Sequence, residues 1–175
     1  MTLPAQTNPT GPPPQGHESA RQSPVLLLAL GNDLLSDDAI GLHVVREVRR
    51  RLAGRAGVDI RETVEMGPAL LDFIVGYQTV VIVDAVQTRQ APPGFLHEVE
   101  GADLKALPNL APHFFGIGEI LALGRVLKMQ MPQRVKIFAV EVQDPFLLGT
   151  HLTEPLQQAL PGIVNRVIAA LQELA

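Results

Sequence analysis

The sequence predicts an α/β fold, with amphipathic helices covering both faces of a mostly parallel sheet. Two short runs, Val25–Leu30, apolar throughout, and Thr79–Ala85, rich in apolar β-branched residues and ending in an acid, are too short for helices and carry no polar face. They read as strands buried on both sides. Between them, Ile40, Val44, Val45, Val48 and Leu52 recur at helical spacing with Arg46, Glu47, Arg49 and Arg50 interposed. Strand-like and helix-like segments then alternate to the end of the chain, the signature of a layered α/β architecture.

Each element has a local reason. Val25–Leu30 ends at Gly31-Asn32, and a loop runs through Asp33–Asp38 to the first helix. That helix is expected to stop at Gly54, and Asp37 and Asp38 stand at its start, where the dipole favours carboxylates. Val58–Val64 alternates apolar and polar residues, as a strand with one better-exposed face does. Pro68–Ile74 is a short helix carrying Leu70, Leu71 and Ile74. Phe95–Val99 follows the Pro92-Pro93-Gly94 turn as a further strand. Pro112-His113 falls in an irregular stretch before a helix over Ile117–Leu127, and Arg134–Glu141 is another strand. A last helix runs from near Thr153 to Leu174, with a kink or break expected at Pro161-Gly162.

Composition narrows the function. The 175 residues suit one domain with a substantial core, expected over 24–175. Residues Met1–Ser23, with Pro4, Pro9 and Pro12–Pro14 among polar residues, have little apolar surface to offset ordering and are expected to form a flexible tail. That segment lacks the charged start and apolar run of a signal peptide. The absence of cysteine excludes disulfides, thiolate metal sites and a Cys nucleophile, and is compatible with the expected cytoplasmic location. A net charge of −4 gives no basic footprint for nucleic acid and no polybasic membrane tag.

Ligands of such folds gather at the carboxyl ends of the strands, which directs attention to three acids: Asp38, Asp84 and Glu141. The segment Gly31–Gly41 opens with a glycine after a buried strand, yet it lacks both G-x-G-x-x-G and the P-loop pattern. Its acids would also repel a phosphate, so nucleotide binding is disfavoured. Asp84 closes a buried strand, and an acid there must be exposed in a crevice, paired or ligated. Capping the following turn toward Thr88 explains it equally well. His113 follows Pro112, which restrains its backbone. Of the other histidines, His17 is in the tail, and His43, His97 and His151 have no acid partner arguable from spacing. Asp38, Asp84 and His113 together offer two carboxylates and one imidazole from three loops, a set that suits nickel, zinc, manganese or iron. No G-x-S-x-G elbow supports a serine hydrolase.

Four blocks resemble the maturation endopeptidases of nickel–iron hydrogenases, over essentially Val25 to the C-terminal helix. Leu28-Ala-Leu-Gly-Asn-Asp-Leu-Leu-Ser-Asp-Asp-Ala-Ile-Gly41 is similar to the family's opening G-N-x-x-x-x-D-[DE]-x-x-G block. Val81-Ile-Val-Asp-Ala85 is similar to its second acid strand, and Pro112-His113 to its histidine loop. Glu141-Val-Gln-Asp-Pro145 with Leu152-Thr153-Glu-Pro155 is similar to its late strand and the start of its last helix. The resemblance implies a three-layer α/β/α sandwich around a twisted sheet. It implies a hydrolase that removes the C-terminal peptide of a hydrogenase large-subunit precursor after nickel has been inserted there. It further implies that Asp38, Asp84 and His113 contact the metal and carry the reaction, and that Gly31, Asn32 and Gly67 bind substrate. Nickel would act as a Lewis acid, or position the precursor while a carboxylate activates water in an aspartyl-protease-like way. Where the family often shows a Gly-Gly-Thr turn, this chain reads Val64-Glu-Met-Gly-Pro68, with Gly67 alone matching, a difference that bears on which hydrogenase is the partner. A noncatalytic nickel-binding chaperone or checkpoint would use the same three residues and cleave nothing.

Overall fold

A computed structural model describes residues 24–53, 57–101 and 112–174, the side chains of residues 112–116 excepted. The expected tail and the helix stop at Gly54 lie outside the described residues. The sheet comprises β1 (Val25–Leu30), β2 (Val58–Thr63), β3 (Thr79–Val86), β4 (Leu96–Glu100) and β5 (Arg134–Glu141), in the order β2-β1-β3-β5-β4. β2, β1, β3 and β5 run parallel, and β4 closes the β5 edge antiparallel. The helices are α1 (Ile40–Arg51), α2 (Leu71–Ile74), α3 (Pro112–Val126) and α4 (Glu154–Leu174), with 3-10 turns at Asp37–Ala39 and Gly67–Leu70.

Strand alternation divides the core into two layers. Leu27, Ala29, Val81, Val83, Phe138 and Val140 point to one face and pack with Val44, Val45 and Val48 of α1 and Leu156, Val164 and Val167 of α4. Leu26, Leu28, Val80, Ile82 and Ile137 point to the other and pack with Leu71, Ile74, Ile117, Ile120 and Leu121. This is the expected α/β/α sandwich. Its central strands read as continuous apolar runs because both of their faces are covered.

Three details depart from the sequence reading. β2 is half-buried along most of its length rather than alternating. Val58 and Ile60 join the core under α1, while Asp59 on the other face accepts a hydrogen bond from the Tyr77 hydroxyl at 2.8 Å. α3 begins at Pro112, five residues before the expected start at Ile117, because proline is compatible with a first helical turn, where its missing N–H has no partner to lose. α4 runs unbroken through Pro161. That residue is exposed, and buried Leu156, Ile163, Val164 and Val167 on either side hold the helix to the sheet. No described helix is long and apolar enough to cross a membrane.

Candidate active site

The chain leaves β1 to one side for β2 and then returns to β3, so the carboxyl ends of β1 and β3 border a topological switch point. Two glycines let the first helix press against those ends. A Cβ on Gly41 would lie 2.5 Å from the Leu30 carbonyl oxygen and 2.6 Å from that of Val83, both backbone atoms. A Cβ on Gly31, whose φ is +148°, would lie 2.4 Å from the Asp38 carbonyl oxygen. The loop between them must therefore fold back on itself. Asn32 fixes it by accepting the Leu34 N–H on its side-chain oxygen at 3.0 Å. Its own N–H donates to Asp38 Oδ2 at 2.8 Å and aims that carboxylate.

Asp84 meets Asp38 there. It sits within β3 opposite Ala139 of β5 and is 7% exposed. Burial pushes its carboxyl up to about 7; the 2.8 Å hydrogen bond from the Ala85 N–H opposes the rise, and the nearby Asp38 charge adds to it. A carboxyl so placed takes up and releases its proton near neutral pH, where proton transfer is most useful.

Asp38, Asp84, Gly31 and Asn32 all line one cavity of about 460 Å³. Leu35, Val64, Glu65, Met66, Gln87, Pro145 and Phe146 form more of its wall. Val64, Met66 and Phe146 are large apolar side chains left open to solvent, giving the acidic floor an apolar rim. Gly67 is not in the wall; it follows Met66 and opens the 3-10 turn with φ +64°. His113 lies in the first turn of α3, and its side chain lies outside the described residues. Among the described residues no group of three His, Asp or Glu side chains is arranged to hold a metal.

The other acids have different work. Asp37 is buried and accepts the Thr153 N–H and hydroxyl, each at 2.8 Å, joining the first helical turn to the start of α4. Thr88 does not turn to Asp84 as the capping alternative required. Its N–H and hydroxyl go to Glu141 at 2.8 and 2.6 Å. His97, which spacing left without an acid, places Nε2 2.9 Å from Glu141 Oε2. Burial pushes the Glu141 carboxyl up, yet the hydrogen bonds from Thr88, His97 and Arg89 prevail and hold it below the ordinary range. Gln87 and Phe146 escaped the sequence reading, whereas Glu65 lies in the Val64–Pro68 segment that the family resemblance singles out. Loop residues carry no periodicity, and only the acid-ended strand at Asp84 and the Gly-Pro at 67–68 marked their neighbourhoods.

A profile of the hydrogenase maturation protease family matches residues 42–170. The hydrogenase 2 maturation protease of Escherichia coli strain K12 is 27% identical over 153 residues, covering 85% of this chain and 91% of that protein. The hydrogenase expression/formation protein HupD of Rhizobium leguminosarum bv. viciae is 23% identical over 175 residues, covering 98% and 81%. Among solved structures, the hydrogenase maturating endopeptidase HybD from Escherichia coli superposes with a TM-score of 0.72 at 26% identity, over 86% of this chain and 93% of that one. The [NiFe] hydrogenase maturation protease HybD from Thermococcus kodakarensis shares the fold with a TM-score of 0.62 at 23% identity, over 83% and 97%.

Proposed function

The chain belongs to the hydrogenase maturation protease family, and from that premise we propose that it cuts the C-terminal peptide from the nickel-loaded precursor of a nickel–iron hydrogenase large subunit. The observation that carries this reading is the convergence of Asp38 and Asp84 beside Gly31 and Asn32 in one crevice. Two acids from separate elements share a floor where a cationic group is the natural ligand, and the rim is apolar enough to seat a peptide.

In this reading the nickel ion arrives with the substrate. Asp38, oriented by the Asn32 N–H, and Asp84 present carboxylate oxygens to it. His113, on the family pattern, supplies a nitrogen. Gly31 and Asn32 belong to the backbone that borders the peptide, and Gly67, just outside the wall, shapes the turn that carries Met66. The ion either polarises the scissile carbonyl or fixes the precursor so that the bond lies beside the acids. Asp84 must give up its proton to hold a cation, and the same carboxyl is suited to take a proton from the attacking water.

The test is to mix the purified chain with large-subunit precursor prepared with and without nickel and to read the precursor mass. Loss of the C-terminal peptide from the nickel-loaded form, with the nickel-free form intact, is expected. Equal cleavage of both would remove the metal from recognition. Nickel-dependent binding with no mass change would mark a checkpoint protein instead.

A further inference from the structure

Glu141 is the other buried acid at a carboxyl strand end, and the reaction described above does not use it. It is 1% exposed and ends β5, opposite Val86 of β3. Four donors converge on its carboxylate. Oε1 accepts the Thr88 and Arg89 N–H groups, each at 2.8 Å. Oε2 accepts the Thr88 hydroxyl at 2.6 Å and meets His97 Nε2 at 2.9 Å. Three of the four donors belong to the turn that leaves β3, the strand of Asp84. Arg89 in that turn holds φ at 60°, a left-handed conformation that a non-glycine residue adopts only when its surroundings impose it.

The residue just before this turn is Gln87, which stands in the wall of the crevice. Its side-chain N–H donates to the Gln143 carbonyl, and among the described residues nothing donates to its side-chain oxygen. That oxygen is an acceptor for a peptide N–H. Joining two strand ends does not require a buried carboxylate, since packed apolar side chains serve as well without the desolvation cost. A carboxylate is needed to gather two adjacent N–H groups, a hydroxyl and an imidazole at one point and so hold a strained turn still.

The geometry points to Glu141 as a positioning residue for the proteolysis, which through the Thr88–Arg89 turn holds Gln87 in the crevice wall as a contact for the substrate backbone. This rests on the crevice being the processing site proposed above. The variant that probes it is Thr88→Val, which removes one donor to Glu141 and keeps the size of the side chain. Its KM for the nickel-loaded precursor is expected to rise about five- to tenfold, the factor corresponding to one hydrogen bond, with kcat changed less. Thr88→Ser restores the hydroxyl and is expected to bring KM back to within about twofold of the parent. Gln87→Ala should raise KM similarly, and Gln87→Ala with Thr88→Val should be no worse than Gln87→Ala, because the turn acts through that side chain.

An unchanged KM in Thr88→Val, failure of Thr88→Ser to rescue, or effects of the two substitutions that multiply would each overturn the proposal. Thermal melts accompany every variant. If Thr88→Val does not fold, Gln87→Ala decides the matter, and a parental KM there overturns the proposal. Failure of the crevice reading looks different: Asp84→Asn would then process precursor at the parental rate, whatever the Thr88 variants do.

Discussion

The charge of Asp38, from the loop after β1, is felt by Asp84, buried within β3, and helps lift its carboxyl to about 7. Residues 46 positions apart are thereby coupled through the glycine-lined contact between α1 and the strand ends. The coupling ties activity to pH. Below about 7 Asp84 holds its proton and cannot present a charged carboxylate to a cation. Processing should therefore rise with pH through that value, falling about tenfold for each unit below it. A pH profile of kcat/KM that stays flat between 5.5 and 8 (about the range in which only such a displaced group or a His titrates) would remove Asp84 from the rate-determining events.

Replacing Asp84 separates function from stability. The folded-state pKa is raised from 3.8 to about 7, so between those values the native chain keeps a proton that the unfolded chain has lost. Stability consequently falls as pH rises through this window, by at most about 4 kcal/mol for the roughly three-unit displacement. Asp84→Asn has no charge to bury and keeps an oxygen for the Ala85 N–H. It should abolish processing and yet melt higher than the parent, by about 2–8 °C at pH 8 and by less at pH 5. A lower melting temperature at pH 8 would contradict the buried-charge account.

Gly41 is expected to be intolerant of even a methyl group. With backbone oxygens at 2.5 and 2.6 Å from the added Cβ, Gly41→Ala must push α1 off the sheet, at a cost of about 1–3 kcal/mol. Asp38, carried by the turn just before that helix, would move with it. Gly162 in α4 is the control, since its Cβ would meet nothing within 4 Å. Gly162→Ala should raise stability by up to about 1 kcal/mol. Urea melts of the two variants, with processing assays alongside, check the contrast.

His113 is expected to matter through the nickel. His113→Ala would leave two carboxylates, a set better matched to magnesium than to nickel. Processing of the nickel-loaded precursor should drop by at least about tenfold, the scale on which even an outer-shell partner of a metal ligand is missed. Parental rates in this variant would strip the residue of its role and leave Asp38 and Asp84 as the site.

The elements and their layers were legible in the sequence because they follow from local periodicity. Val25–Leu30 and Val80–Val83 are apolar throughout because both faces of their strands are covered, and Ile40–Leu52 shows the stripe of a helix that packs on one side. The Gly31–Gly41 block stood out by its resemblance to a family pattern, and the structure supplies the reason its two glycines are there: close backbone contact leaves no room for a side chain. Pairings between distant residues were decided by the tertiary structure. Asp37 and Asp38 are neighbours in the chain, yet the first is turned to Thr153, 116 positions away, while the second lines the crevice. His97 gains its acid from Glu141, 44 positions on, and Thr88 bonds to Glu141 instead of Asp84. Phe146, Val64 and Met66 become one rim because β2, β3 and β5 end on the same side of the sheet. A sequence pattern records which face of its own element a residue occupies. The partner that residue finds across the sheet depends on strand order and register, and these are set by how all the apolar faces pack at once.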